Sequence, residues 1–128
     1  MSTTPTKTVL LIDDEEYIRL IIEACIENFS NWESVSVPCC EEGLAALINQ
    51  RPDAILLDML MPNMNGFDFL KTLQAQPEFA DIPVVLLTSR VDLTESQKIA
   101  HLGVKGAIAK PFHATRIVSQ IAQILGWQ

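Results

Sequence analysis

Five short apolar runs, separated by stretches with helical spacing, set the pattern of the chain. Residues 8 to 13, Thr8-Val9-Leu10-Leu11-Ile12-Asp13, form an apolar run closing on acid, as in a parallel strand covered on both faces. Ile18, Ile21, Ile22, Cys25, Ile26 and Phe29 then recur at the i, i+3, i+4, i+7, i+8 and i+11 positions. That spacing predicts a helix with all six on its apolar stripe and Glu16, Arg19, Glu23 and Glu27 on its polar side. Ser34-Val35-Ser36-Val37 alternates like a half-exposed edge strand before Pro38 ends it. A second helix, from near Glu41 to Asn49, turns Leu44, Leu47 and Ile48 inward, and the turn Arg51-Pro52-Asp53 leads into the buried run Ala54-Ile55-Leu56-Leu57-Asp58. Gly66 opens a third helix with Phe67, Leu70 and Leu73 facing in, closed by Pro77. Ile82 to Thr88 is the fourth strand. The capping box Thr94-Glu95-Ser96-Gln97 starts a fourth helix that Gly103 stops. Gly106 to Ala109 is the fifth strand, and a last helix from near His113 to Leu125 packs Ile117, Ile121, Ile124 and Leu125 inward.

Strands alternating with helices at this spacing imply right-handed crossovers and a parallel sheet with helices on both faces. The expected fold is a flavodoxin-like doubly wound (βα)5 architecture with strand order 2-1-3-4-5. Residues 1–7 form a polar tail and residues 8–128 one domain. In that order the binding crevice lies beyond the carboxyl ends of strands one and three. Here those ends are Asp13-Asp14 and Asp58, while Thr88 and Lys110 close strands four and five.

Three carboxylates brought within about 4 Å would repel by roughly 4 kcal/mol per pair at an effective dielectric near 20, so the fold would keep them together only with a cation. All-oxygen ligands beside a phosphate favour Mg²⁺, which keeps several waters and takes only one or two carboxylates. Each group has an ordinary explanation alone: acids at a helix N-terminus gain only a few tenths to about 1 kcal/mol from the dipole. Acids, a hydroxyl and a cation placed together at the four central strand ends point to function.

Composition narrows the classes. At 128 residues, 48% hydrophobic and 20% charged, the chain fits one soluble globular domain. A net charge of −7 with nine scattered basic residues argues against direct nucleic-acid binding. No apolar stretch approaches a membrane span, and the polar start reads as a tail rather than a signal peptide, so a cytoplasmic location is expected. Cys25, Cys39 and Cys40 lack disulfide or zinc spacing and read as reduced thiols. His101 reads as a dipole partner in the last turn of the fourth helix, and His113 as the start of the fifth.

From its first strand to its last helix, the chain resembles a receiver domain of a two-component response regulator. The family's acidic pair corresponds to Asp13-Asp14, its phospho-acceptor to Asp58, its loop Pro and Gly to Pro62 and Gly66, its switch hydroxyl to Thr88, and its cis lysine-proline to Lys110-Pro111. The resemblance implies that Asp14, Asp58 and the backbone carbonyl of Leu60 hold Mg²⁺ (or Mn²⁺), with Asp13 acting largely through water. Asp58 would take a phosphoryl group from the phosphohistidine of a histidine kinase or a histidine phosphotransfer protein. Lys110 and backbone N–H groups near Met59 and Ser89 would bind that group. Thr88 would then swing toward it, moving the loop from Ser89 to Thr94 and reshaping the face of helix four, strand five and helix five to regulate a protein target.

Three positions depart from the family's pattern. Ala107 stands where many members carry an inward-rotating aromatic, so signalling is expected to rely on backbone and loop displacement, or on a partner side chain over Ala107. Leu60, two beyond the acceptor, has no polar side-chain atom to position an attacking water, so a long-lived aspartyl phosphate is expected. Arg90, two beyond Thr88, either pairs with the phosphoryl group or projects into solvent. Two other function classes stay open: an interaction module that works without phosphate, and an aspartyl-nucleophile phosphohydrolase, which Leu60 disfavours. A chain ending at Gln128 reads as a stand-alone receiver or as one excised from a longer protein.

Overall fold

The computed structural model describes residues 7–61, 64–89 and 96–127. In chain order the elements are β1 (Thr8–Ile12), α1 (Glu16–Phe29), β2 (Glu33–Val37), α2 (Cys40–Asn49), β3 (Ala54–Asp58), β4 (Leu60–Met61), β5 (Met64–Asn65), α3 (Gly66–Ala75), β6 (Val84–Thr88), α4 (Ser96–Leu102), β7 (Gly106–Ala109) and α5 (Ile117–Leu125). Five strands form one parallel sheet in the order β2-β1-β3-β6-β7, which is 2-1-3-4-5 once the small antiparallel ribbon β4-β5 is set aside. This is the flavodoxin-like topology. No described helix is long and apolar enough to cross a membrane.

The central strands are apolar throughout because both of their faces are covered. Alternate residues serve opposite sides. Val9, Leu11, Leu56, Val85, Leu87 and Ile108 pack with Ile18, Ile22, Cys25 and Ile26 of α1 and Ile117 and Ile121 of α5. Leu10, Ile12, Ile55, Leu57 and Leu86 pack with Leu47 of α2 and Phe69, Leu70 and Leu73 of α3. Strand β2, at the sheet edge, is only half-buried, as its alternating pattern predicts.

The helical stripes are narrower than the apolar spacing suggests. Ile21 and Phe29 in α1 and Ile48 in α2 are exposed, Ile48 to 79%, whereas Phe69 is buried and Phe67 only partly so. Ile21, Ile48 and Phe67 sit at the margins of their arcs, since each residue advances about 100° around the helix. Phe29 is the last residue of α1. The last helix begins at Ile117 rather than near His113, because the His113 carbonyl accepts from both Arg116 N and Ile117 N and closes a turn ahead of it.

Glycine is required at two of these boundaries. Gly103 adopts φ +74° and ends α4, where Val104 N donates to Ile99 O and Gly103 N to Ala100 O. At Gly66 a Cβ would stand 2.7 Å from Met59 Sδ and 3.2 Å from Met59 Cα, so a side chain there would push on the residue after Asp58.

Candidate functional site

The parallel ladders run slightly past the strands and deliver the polar groups to one edge. Asp13 N donates to Val37 O (3.2 Å), extending β1 along β2, and Lys110 N donates to Thr88 O (2.8 Å), extending β7 along β6. Asp58 is the last residue of β3, paired with Leu87. Among the described residues, Asp13, Asp58 and Thr88 are the buried polar residues of the core, at 0%, 2% and 1% exposure. Asp14 is exposed and Glu15 half-buried.

Lys110 joins these ends. Its Nζ lies 3.1 Å from Asp13 Oδ2, 3.4 Å from Asp58 Oδ2 and 3.4 Å from Glu15 Oε1. Burial works to lower the Lys110 pKa, but the hydrogen bond to Asp13 and the charges of Asp58, Asp13 and Glu15 together hold it above the usual lysine value. A hydrogen bond to Glu15 raises the pKa of the exposed Tyr17 hydroxyl.

Oxygen atoms of Asp13, Asp14, Glu15 and Asp58 all lie within 4.8 Å of one another. Trans oxygens around an octahedral Mg²⁺ are about 4.1 Å apart, so a cluster of this spread, made only of hard oxygen donors, fits such an ion. Four carboxylates against one ammonium leave a local excess of negative charge, which a divalent cation would offset.

The fold thus brings together Asp13, Asp14, Asp58, Thr88 and Lys110, the five residues singled out from the strand ends. Met59 is buried, Leu60 begins the ribbon beside it, and Ser89 is exposed. The Lys110-Pro111 bond is cis. Ala107 pairs with Leu86 and packs, half-buried, against the core cluster on the α4 side. By strand alternation from Leu86, Thr88 belongs to that same sheet face. Arg90, Pro62 and the Thr94-Glu95 half of the capping box lie outside the described residues. His101 is exposed in the last turn of α4, as expected, and His113 is exposed in the turn before α5. Cys25, Cys39 and Cys40 are free thiols.

Two participants are not evident from strand ends. Glu15 enters the carboxylate cluster, and its only sequence signal is its place in the acidic stretch Asp13-Asp14-Glu15-Glu16. Arg19, on the side of α1 read as solvent-facing, donates from Nη1 to the Asp13 carbonyl at 2.7 Å.

A family model described as the response regulator receiver domain matches residues 9–122. The chain belongs to the response regulator receiver domains. Among solved structures, this receiver domain is similar to the chemotaxis response regulator CheY4 of Vibrio cholerae, with a TM-score of 0.83 at 26% identity over 94% of this chain and 99% of that one. In sequence it is 26% identical to a probable chemotaxis protein CheY of Rhizobium etli, over 98% of both chains. It is 28% identical to the phosphate regulon transcriptional regulatory protein PhoB of Pseudomonas aeruginosa, over 93% of this chain but 52% of that protein. The receiver thus spans about half the length of several curated relatives it matches.

Proposed function

We propose that this receiver domain accepts a phosphoryl group on Asp58 from the phosphohistidine of a histidine kinase or a histidine phosphotransfer protein, and so regulates a protein target. The observation that carries this reading is the buried Asp58 carboxylate 3.4 Å from Lys110 Nζ, inside a group of four carboxylates whose oxygens lie within 4.8 Å. A carboxylate so placed is a nucleophile with a fixed cation at hand.

In the proposed step an Asp58 oxygen forms a bond to phosphorus as the P–N bond to the donor histidine breaks in line. The electron pair returns to the imidazole. Asp14, Asp58 and the Leu60 carbonyl would hold Mg²⁺ (or Mn²⁺), with Asp13 bridging through water; when bound, the ion supplies charge neutralisation between carboxylate and phosphoryl oxygens. Lys110 moves its ammonium from the carboxylates to the transferred group, and backbone N–H groups at Met59 and Ser89 donate to it. A cleft of about 380 Å³ lined by Tyr17, Ile21, Pro111, Phe112 and Ser89 shares Glu15 and Lys110 with this site and would give the donor protein an apolar seat. Loss of the phosphoryl group would be comparatively slow, since Leu60 offers no polar side-chain atom to orient water.

Thr88 then turns to the new acceptor, and the displacement passes through the Ser89–Thr94 segment to the face of α4, β7 and α5. An interaction module working without phosphate is the second reading, kept open by the absence of an aromatic at Ala107 and opposed by the intact acidic constellation. One experiment separates the two: incubation with phosphoramidate and Mg²⁺, followed by intact-mass measurement. The parent gains one phosphoryl group and Asp58→Asn gains none; an unmodified parent, or a labelled Asp58→Asn, contradicts the proposal.

A further inference from the structure

Asp13 is held at every polar atom. Its N donates to Val37 O, its Oδ1 accepts from Glu15 N (2.9 Å), and its Oδ2 accepts from Lys110 Nζ (3.1 Å). Its carbonyl oxygen accepts from Arg19 Nη1 at 2.7 Å, a charge-assisted bond that reaches back from the first turns of α1 to the end of β1. The backbone of Arg19 is fixed at the start of the helix, since its main-chain N donates to Glu15 O (3.1 Å).

The peptide unit is planar, so holding the Asp13 carbonyl also holds the N–H and Cα of Asp14. Asp14 is the exposed member of the carboxylate cluster, and Asp13, Glu15 and Asp58 are more enclosed. The Asp13–Asp14 peptide plane fixes where the Asp14 Cα sits, and with it the point from which the carboxylate reaches the cluster. Lysine at position 19 would keep the charge and lose the planar fork that fixes the bond's direction.

We propose that Arg19 is a positioning residue: by clamping the Asp13 carbonyl it aims the Asp14 carboxylate into the divalent-cation site, although its own charge opposes a cation there. This rests on the phospho-acceptor reading of the site. The two effects of Arg19 have opposite signs, which makes them separable. As a nearby positive charge it repels Mg²⁺, so removing it would tighten binding. As a clamp it pre-aims a ligand, so removing it weakens binding.

The test is calorimetric titration with Mg²⁺ of the parent, Arg19→Met and Arg19→Lys, with melting temperatures recorded free of metal. Disturbing the outer shell that orients a metal ligand weakens affinity by about 10- to 100-fold. That loss is expected for Arg19→Met, with Arg19→Lys at the milder end. Tighter Mg²⁺ binding by Arg19→Met with unchanged binding by Arg19→Lys would show a purely electrostatic role and overturn the proposal. A lower metal-free melting temperature with unchanged Mg²⁺ affinity in both variants would reduce Arg19 to a staple between helix and loop, and would overturn it too. If Arg19→Met fails to fold, Arg19→Lys decides on the same terms. A parent that does not bind Mg²⁺ removes the cation site of the acceptor reading, and the role of Arg19 with it, whereas a parent that binds while both variants match it removes only the role of Arg19.

Discussion

At the carboxyl edge of the sheet, Asp13, Asp58 and Thr88 are buried and one lysine reaches three carboxylates; at the β7 margin, Ala107 lies half-buried against the core on the α4 side, a methyl group on the face Thr88 shares. The first region is specified by charge and the second by packing. Charged groups out of water tolerate little rearrangement, because an unmatched buried carboxylate is costly. A small apolar residue in a half-covered position constrains its surroundings weakly. On the proposed function, phosphoryl acceptance would be held to one geometry, while its transmission to the surface would be left to backbone movement and to the partner.

The largest expected effect comes from breaking the charged region. Lys110→Met leaves Asp13 and Asp58 without their shared ammonium, and we expect a loss of about 3 kcal/mol or more in urea unfolding without metal. A loss under about 1 kcal/mol would mean the contact behaves like an exposed ion pair, and the contrast between the regions would collapse. Next is Gly66→Ala, whose added methyl meets Met59 Sδ at 2.7 Å beside Asp58; overpacking of this kind costs about 1–3 kcal/mol in the same measurement.

A smaller effect distinguishes the core from the site in its response to alkali. Burial, and secondarily the charge of Cys39, pushes the Cys40 thiol from 9.0 up to about 11. A folded-state pKa raised in this way contributes stability that is complete below 9.0 and lost as pH rises through about 11. Melting temperature should fall over that window, and less steeply in Cys40→Ala; equal slopes would contradict the assignment. Lys110, also raised, adds to the loss only above 10.5 and does so in both proteins. The smallest effect is expected from Ala107→Tyr. The rate of Asp58 labelling by phosphoramidate should stay at the parent's value, since Ala107 packs against the apolar cluster on the α4 side. A large change in that rate would show that the two regions are coupled more tightly than their construction suggests.

The legible part of this molecule is the part set by local pattern. Runs such as Leu10–Ile12 and Ile55–Leu57 are apolar because both sheet faces are covered, and their closing acids mark the edge where the crevice must lie. Spacing alone does not reveal how much of a helix its neighbours cover, which is why Ile48 reads as core and is exposed while Phe69 is buried. The Lys110 contact to Asp13 joins residues 97 apart, and only the strand order brings it within reach. Glu15 and the Arg19 bond to the Asp13 carbonyl depend on the path of the loop between β1 and α1, for which the sequence offers only a row of acids and one arginine on a polar helix face.

The central claim is that Asp58 carries the phosphoryl group. It is tested most directly by labelling the parent with phosphoramidate and Mg²⁺, reducing it with borohydride, and sequencing the digest by mass spectrometry. An aspartyl phosphate is an acyl phosphate, so reduction converts that residue alone to homoserine. The account predicts homoserine at position 58, dependent on both phosphodonor and Mg²⁺. Homoserine at another aspartate, or at none, would contradict it.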